Sequence, residues 1–130
     1  MSSVEARTQE IYRDFLRSSD QKTNLLFLRL LSAEWLAGVV VAILVTPYSW
    51  EGHQRLVHIH VWLSLILGGL LALYPARLYY ENPGSKRLKY VVACAQMVFS
   101  ILFIHLSGGR IETHFHIFGS LAFLAFYRDW

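Results

Sequence analysis

Cysteine is almost missing: Cys94 is the only one in 130 residues, so no intrachain disulfide and no CxxC pair can form, and an oxidised framework is excluded. Cys94 lies inside an apolar block and is expected to serve helix packing. The chain also lacks a phosphate-binding glycine loop, because Gly108 and Gly109 have neither the strand nor the lysine such a loop needs. There is no nucleophile elbow, no HExxH pattern and no nucleic-acid module. Soluble hydrolase and nucleotide chemistry are therefore without support. No secretory leader is expected in these residues: the first 24 are largely polar, and the first apolar run is too long and too internal for a leader. The first apolar helix is expected to act as its own insertion signal.

What is present in excess is apolar surface. Hydrophobic residues make up 55% of the chain and the mean hydropathy is +0.37, more than so short a chain can hide from water. The excess is gathered in long blocks, which is how a bilayer solvent shapes a sequence. The formal charge of +3 and a pI near 9.2 do not point to nucleic acid, because Lys and Arg sit between the apolar blocks and carry topology information.

Four spans are expected, at about 24–46, 55–79, 88–106 and 111–127, each near the roughly 20 residues that cross a bilayer core. The breaks carry turn chemistry in Pro47, in Asn82, Pro83 and Gly84, and in Ser107, Gly108 and Gly109. Pro75, inside the second span, is expected to kink it or to begin its exit. Short loops make neighbours antiparallel. Of the 12 Lys and Arg residues, only Arg55 and Arg110 fall on the second side; Arg7, Arg13, Arg17, Lys22, Arg29, Arg77, Lys86, Arg87, Lys89 and Arg128 share the first. By the positive-inside rule both termini are cytoplasmic. Before the first span, Val4, Ile11, Tyr12, Phe15 and Leu16 share one helical face, as in a helix lying along a membrane surface. The expected fold is thus an all-α integral membrane four-helix bundle, antiparallel and up-and-down. Residues 1–23 form an amphipathic interfacial helix and residues 24–130 the membrane domain. Trp50, Trp62, Tyr79, Tyr80, Tyr90, Tyr127 and Trp130 fall at the interfaces.

This topology gathers the histidines. His53, His58 and His60 precede or open span two, His105 closes span three, and His114 and His116 open span four, so all six fall in the outer half of the membrane. Glu112 joins them. The turn after His105 should set His105 opposite Glu112, and Glu112 and His116, four apart, share a helical face. His58 and His60, like His114 and His116, are two apart, about 200° around a helix; both members of a pair reach one centre only from an irregular helix start. The expected inner ligand set is His60, His105, His116 and Glu112, with His58 and His114 as further ligands or supporting donors. Imidazoles with a carboxylate suit a transition-metal ion such as copper, zinc or iron. Haem b is the alternative cofactor, held axially by His60, His105 or His116, with Gly68, Gly69 and Gly119 giving room for a flat macrocycle. Histidines that merely snorkel to water or bond a carbonyl are the plainer alternative.

A second polar feature lies deeper. Glu34 falls about ten residues into span one, near mid-bilayer, where a carboxylate is costly unless partnered or protonated. Gln96 in span three lies at a comparable depth, within reach of Ser64 and Ser100. An interhelical hydrogen bond that fixes packing is the first reading of this pair, with proton transfer or ligand contact as the second.

The stretch from His105 to Trp130, HLSGGRIETHFHIFGSLAFLAFYRDW, with HIHVW at His58–Trp62 and PYSW at Pro47–Trp50, resembles the membrane-embedded N-terminal sensory region of bacterial sensor histidine kinases, chemoreceptors and diguanylate cyclases. The resemblance covers most of the chain from about Trp35, and its more specific strings are GRIETHFH and FYRDW. In such proteins further membrane helices and a cytoplasmic output domain follow the FYRDW motif. The resemblance therefore implies a multi-pass protein of the bacterial inner membrane, a sensory role, a cytoplasmic signalling output domain as partner, and a homodimer, since signalling relatives work as pairs. With the chain stopping at Trp130, an excised module or a stand-alone relative is expected, and kinase or cyclase activity falls outside these residues. The resemblance chooses no cofactor.

The expected function is a transmembrane sensory module, not an enzyme, that binds a metal or haem through outer histidines and signals to a cytoplasmic partner. A membrane oxidoreductase using the same histidines is the first alternative. A structural anchoring or oligomerising module, in which the histidines only satisfy hydrogen bonds, is the second. The lipid bilayer is a partner in every case, and nucleic acid in none.

Overall fold

The computed structural model describes residues 3–45, 48–51 and 54–127, with side chains described for 4–45 and 56–127. The expected features at Thr46, Pro47, His53, Arg128 and Trp130, and those of the side chains of Trp50 and Arg55, lie outside that description. Helix α1 runs Ser3–Val45, α2 Ile59–Glu81, α3 Lys86–Leu106 and α4 Ile111–Leu124, and α4 tightens into a 3-10 turn at Ala125–Tyr127. A short hairpin pairs β1, Tyr48–Glu51, with β2, Gln54–Val57, antiparallel, with Tyr48 opposite Val57 and Glu51 opposite Gln54. Three of the helices are long and apolar enough to cross a membrane: the stretch Val4–Val45 of α1, α2 and α3.

Several boundaries differ from the sequence expectation, each for a local reason. The interfacial helix expected at 1–23 and the span expected from residue 24 are one helix of 43 residues. No glycine or proline interrupts the chain between Ser3 and Ala37, so the helix runs on through the change from polar to apolar composition. Span two starts at Ile59 instead of Arg55, because Gln54–Val57 is spent on the hairpin, where Tyr, Trp and Val suit a pleated surface. Pro75 does not begin an exit: α2 continues six residues past it to Glu81, with Pro75 buried in the helix interface. Helix α4 has 14 residues, about 21 Å of rise, and is not among the long apolar helices. Cys94 is exposed, in an apolar groove that it lines with Leu71, Tyr74 and Pro75 of α2.

Helix α3 is the organising element, in contact with α1, α2 and α4. Its residues Leu88, Val92, Ala95, Phe99, Leu102 and Leu106 are buried, and their alternating spacing of four and three makes one apolar stripe. Phe27, Leu31 and Ala42 of α1 and Ala72 of α2 complete the same cluster. Ser85 caps α3 by accepting from the Arg87 N–H at 3.3 Å. The other end closes on Gly108 and Gly109, with φ of +72° and +77°, and the Gly109 N–H donates to the Ile104 carbonyl at 2.8 Å. Only glycine adopts that conformation without strain, and the turn sends α4 back along α3.

Two clusters define the ends. At one, the ring of Tyr127 stacks on Phe27 with centroids 4.9 Å apart and planes 7° apart. Its hydroxyl donates to Asn24 Oδ1 at 2.9 Å, and Asn24 Nδ2 donates to the Pro83 carbonyl at 3.0 Å. One buried asparagine thus joins α1, the α2–α3 loop and the turn after α4. At the other end, the start of α2 meets the end of α3 through His60 and His105.

Candidate functional site

The sequence-expected histidines divide into two groups. His58, His60 and His105 form the first: ring centroids are 4.2 Å apart for His58 and His60 and 4.8 Å for His60 and His105, both edge to face. The helix start explains how residues two apart meet. His58 precedes α2 in an extended conformation, φ −61° and ψ 143°, and its Nδ1 accepts from the His60 N–H at 3.1 Å. The ring is the N-cap of α2. A neutral imidazole has a single lone pair, so in this conformation His58 has none left for a metal ion.

His116 belongs to the second group, between α1, α3 and α4. Its Nε2 lies 3.1 Å from Oε1 of Glu34, and the same carboxylate oxygen accepts from Gln96 Nε2. Gln96 Nε2 also donates to Ser120 Oγ at 3.1 Å. On the far side of the ring, His116 Nδ1 is 2.9 Å from Ser100 Oγ and 3.3 Å from Ser120 Oγ, and Ser100 Oγ donates to the Gln96 carbonyl at 3.1 Å. Five polar side chains on three helices therefore share one network, four of them at most 8% exposed. A buried polar network of this kind fixes helix register, because every alternative leaves several groups without partners. Two acceptors remain unsatisfied even so: Glu34 Oε2 and Gln96 Oε1 are buried with no hydrogen-bond partner. A groove of about 390 Å³ lies beside this network, lined by Glu34, Gln96, His116, Gly119 and Ser120 and walled by Phe103, Phe123 and aliphatic side chains of α1, while the two oxygens themselves are buried away from it.

The remaining expected ligands face elsewhere. Glu112 and His114 are exposed, and His114 Nδ1 lies 3.1 Å from the Arg110 carbonyl, a contact in which the ring nitrogen donates and Nε2 keeps its lone pair. The set His60, His105, His116 and Glu112 is thus not gathered at one point. Among the described residues no group of three or more His, Cys, Asp or Glu side chains is placed to hold a metal ion. The room expected beside Gly68 and Gly69 is taken: a Cβ on Gly68 would come within 2.8 Å of Trp35 Cδ1, and one on Gly69 within 3.2 Å of Trp35 Cζ2. The flat group against these glycines is the protein's own indole. Gly119 alone of the three borders open space. Ser64 donates to the Val61 carbonyl at 3.0 Å within its own helix.

Sequence reasoning did not single out Asn24, Trp35 or Ser120. Ser120 carried a signal, being four residues after His116 and so on its helical face; Asn24 and Trp35 carried none beyond their residue type. Comparison with family models, curated proteins and solved structures finds no match to this chain.

Proposed function

We propose that the chain is a membrane-embedded sensory module of four antiparallel spans with both ends on the cytoplasmic side. In this reading its outer imidazoles take a transition-metal ion, copper, zinc or iron, and a cytoplasmic output domain reads the result. The observation that carries the proposal is the meeting of three imidazoles, His58, His60 and His105, from two helices at one end of the structure. The opposite end holds Asn24, Pro83 and Tyr127 together, close in sequence to Lys22, Lys86, Arg87 and Lys89. That polarity supports an orientation with the basic end inside and the histidines outside. Helix α4 with its 3-10 turn rises about 27 Å, close to the roughly 30 Å of a hydrocarbon core, which supports a fourth crossing.

The imidazole cluster suits a bare metal better than haem, because the indole of Trp35 fills the helix interface at Gly68 and Gly69. His60 and His105 supply two nitrogen donors. His58 becomes a third only by releasing the His60 N–H, so metal binding and the cap of α2 compete for one lone pair. Losing such a cap costs about 1 kcal/mol, and a metal that outweighs it rearranges the start of α2. This is the differential interaction that a sensor needs. The GRIETHFH and FYRDW strings support the sensory reading and a signalling homodimer.

Elemental analysis and an absorption spectrum of the purified chain test this. Near-stoichiometric metal, lost in His60→Ala and His105→Ala with helicity unchanged, is the expected result. A haem band would replace the metal reading, and a native chain that takes up neither metal nor haem overturns it.

A further inference from the structure

The basic end of the bundle carries a two-part surface that neither the metal reading nor the buried network uses. Between α1 and the start of α3 lies a pocket of about 300 Å³, lined by Arg17 and Asp20 of α1 and by Gly84, Lys86, Lys89 and Tyr90. Its carboxylate, Asp20, pairs with Lys89 at 3.2 Å, and the Lys89 ammonium also lies 5.6 Å from the centre of the Tyr127 ring. Arg17 and Lys86, both exposed, therefore give the pocket an excess of positive charge. The first turn of α3 holds Lys86, Arg87 and Lys89 and no acidic residue, although the positive end of a helix dipole disfavours cations there. An anion in the pocket relieves both conditions. A second groove, apolar and of about 320 Å³, runs between α2 and α3, bordered by Leu71, Tyr74 and Pro75 on one side and by Tyr90, Cys94 and Val98 on the other. Tyr90 belongs to both. Lys86, Tyr90, Cys94 and Val98 follow one another at a spacing of four along one side of α3, and Tyr90 to Val98 spans about 12 Å.

We infer that this surface binds one anionic phospholipid, with its phosphate beside Arg17 and Lys86 and an acyl chain in the groove past Tyr90 and Cys94. Charge complementarity selects the head. The adjoining apolar groove selects a lipid over free phosphate or a soluble phosphate ester, either of which would leave it unfilled. Tyr90, 75% exposed, stands where the charged pocket meets the apolar groove, the level at which amphipathic rings of membrane proteins gather. The inference rests on the helices crossing a bilayer with this end at its inner face, and it is independent of any metal at His60 and His105.

The full chain in detergent, titrated with phosphatidylglycerol and with phosphatidylcholine of the same acyl chains and followed by native mass spectrometry, tests the head. Saturable binding of phosphatidylglycerol is expected, tighter than that of phosphatidylcholine by roughly tenfold. Arg17→Gln and Lys86→Gln should each weaken it roughly fivefold, the effect of one cation near a membrane surface, with helicity and metal content unchanged. His60→Ala and His105→Ala should leave lipid binding as it is, which separates this result from the fate of the metal site. Phosphatidylglycerol with a photoreactive group along its chain tests the groove. Crosslinks at Val91, Cys94 or Val98 are expected; Cys94→Trp, at an exposed position, should abolish them while keeping the melting temperature, and inorganic phosphate should not displace the lipid. Equal affinity for the two lipids, native binding by both Arg17→Gln and Lys86→Gln, displacement by inorganic phosphate, which marks a free-anion site, or crosslinks that lie elsewhere or survive Cys94→Trp would each overturn the inference.

Discussion

His116 and Glu34, 82 residues apart in sequence, face each other across the helix interface with Nε2 3.1 Å from Oε1. The contact ties α4 to α1, while Gln96 and Ser100 hold both to α3. A carboxylate on a residue only 8% exposed among apolar helices is tolerable only because an imidazole and an amide meet it.

The first prediction concerns that pair. Glu34→Ala and His116→Ala should each destabilise the chain, and the double variant should lose less than the sum, with a coupling of about 0.5–2 kcal/mol. Denaturant unfolding in detergent measures the cycle. Strict additivity would mean that the contact does not stabilise the helices.

At the opposite end, Tyr127→Phe removes the hydroxyl that donates to Asn24 and keeps the stack on Phe27. A loss of about 0.5–1.5 kcal/mol is expected. Tyr127→Ala removes ring and hydroxyl together and should cost about 3–5 kcal/mol. Comparable melting temperatures for the two variants would show that the stack contributes little.

Trp35 and Gly68 give a steric test. Gly68→Ala drives a methyl group to within 2.8 Å of the indole and should cost about 1–3 kcal/mol through overpacking, whereas Gly119→Ala meets open space and should be close to neutral. Trp35→Phe in the Gly68→Ala background should recover part of the loss. Equal tolerance of both alanines would contradict the close approach of α1 and α2.

His58 separates capping from metal binding. His58→Asn retains a side-chain acceptor at the cap and should hold the stability of α2 within about 0.5 kcal/mol of native, while His58→Ala should lose about 1 kcal/mol. Both substitutions remove the imidazole, so both should weaken metal uptake by the purified chain. Native metal affinity in both would confine the site to His60 and His105.

Which parts of this arrangement were legible beforehand depends on range. Helix α3 is readable to within two residues, because Asn82, Pro83 and Gly84 before it and the Gly108–Gly109 pair after it mark its ends by local chemistry. Glu34 and Gln96 could be set at one depth by counting along their helices, and the hydrogen bond between them joins those two levels. The hairpin was not readable: two four-residue strands are too short for alternation to stand out in what reads as a loop. The continuity of α1 is not visible in composition, because the change from polar to apolar residues near Asn24 coincides with no helix breaker and the helix runs through it. Small residues in an apolar helix mark close approach as readily as room, and at Gly68 and Gly69 it is Trp35 that approaches. Depth alone groups His116 with the outer histidines; its rotation about α4, which aims it at Glu34, depends on packing that spacing does not encode.

The unbroken α1 has a mechanical consequence. Residues 3–23 carry the helix roughly 31 Å beyond Asn24, with Ile11, Tyr12 and Phe15 exposed along it. The arm is held at its base by the Asn24–Tyr127 clasp and by Asp20, which pairs with Lys89 of α3 at 3.2 Å. A tilt of about 10° about that base sweeps the tip beyond Asp20 through roughly 4 Å, far enough to make or break a side-chain contact with a neighbour.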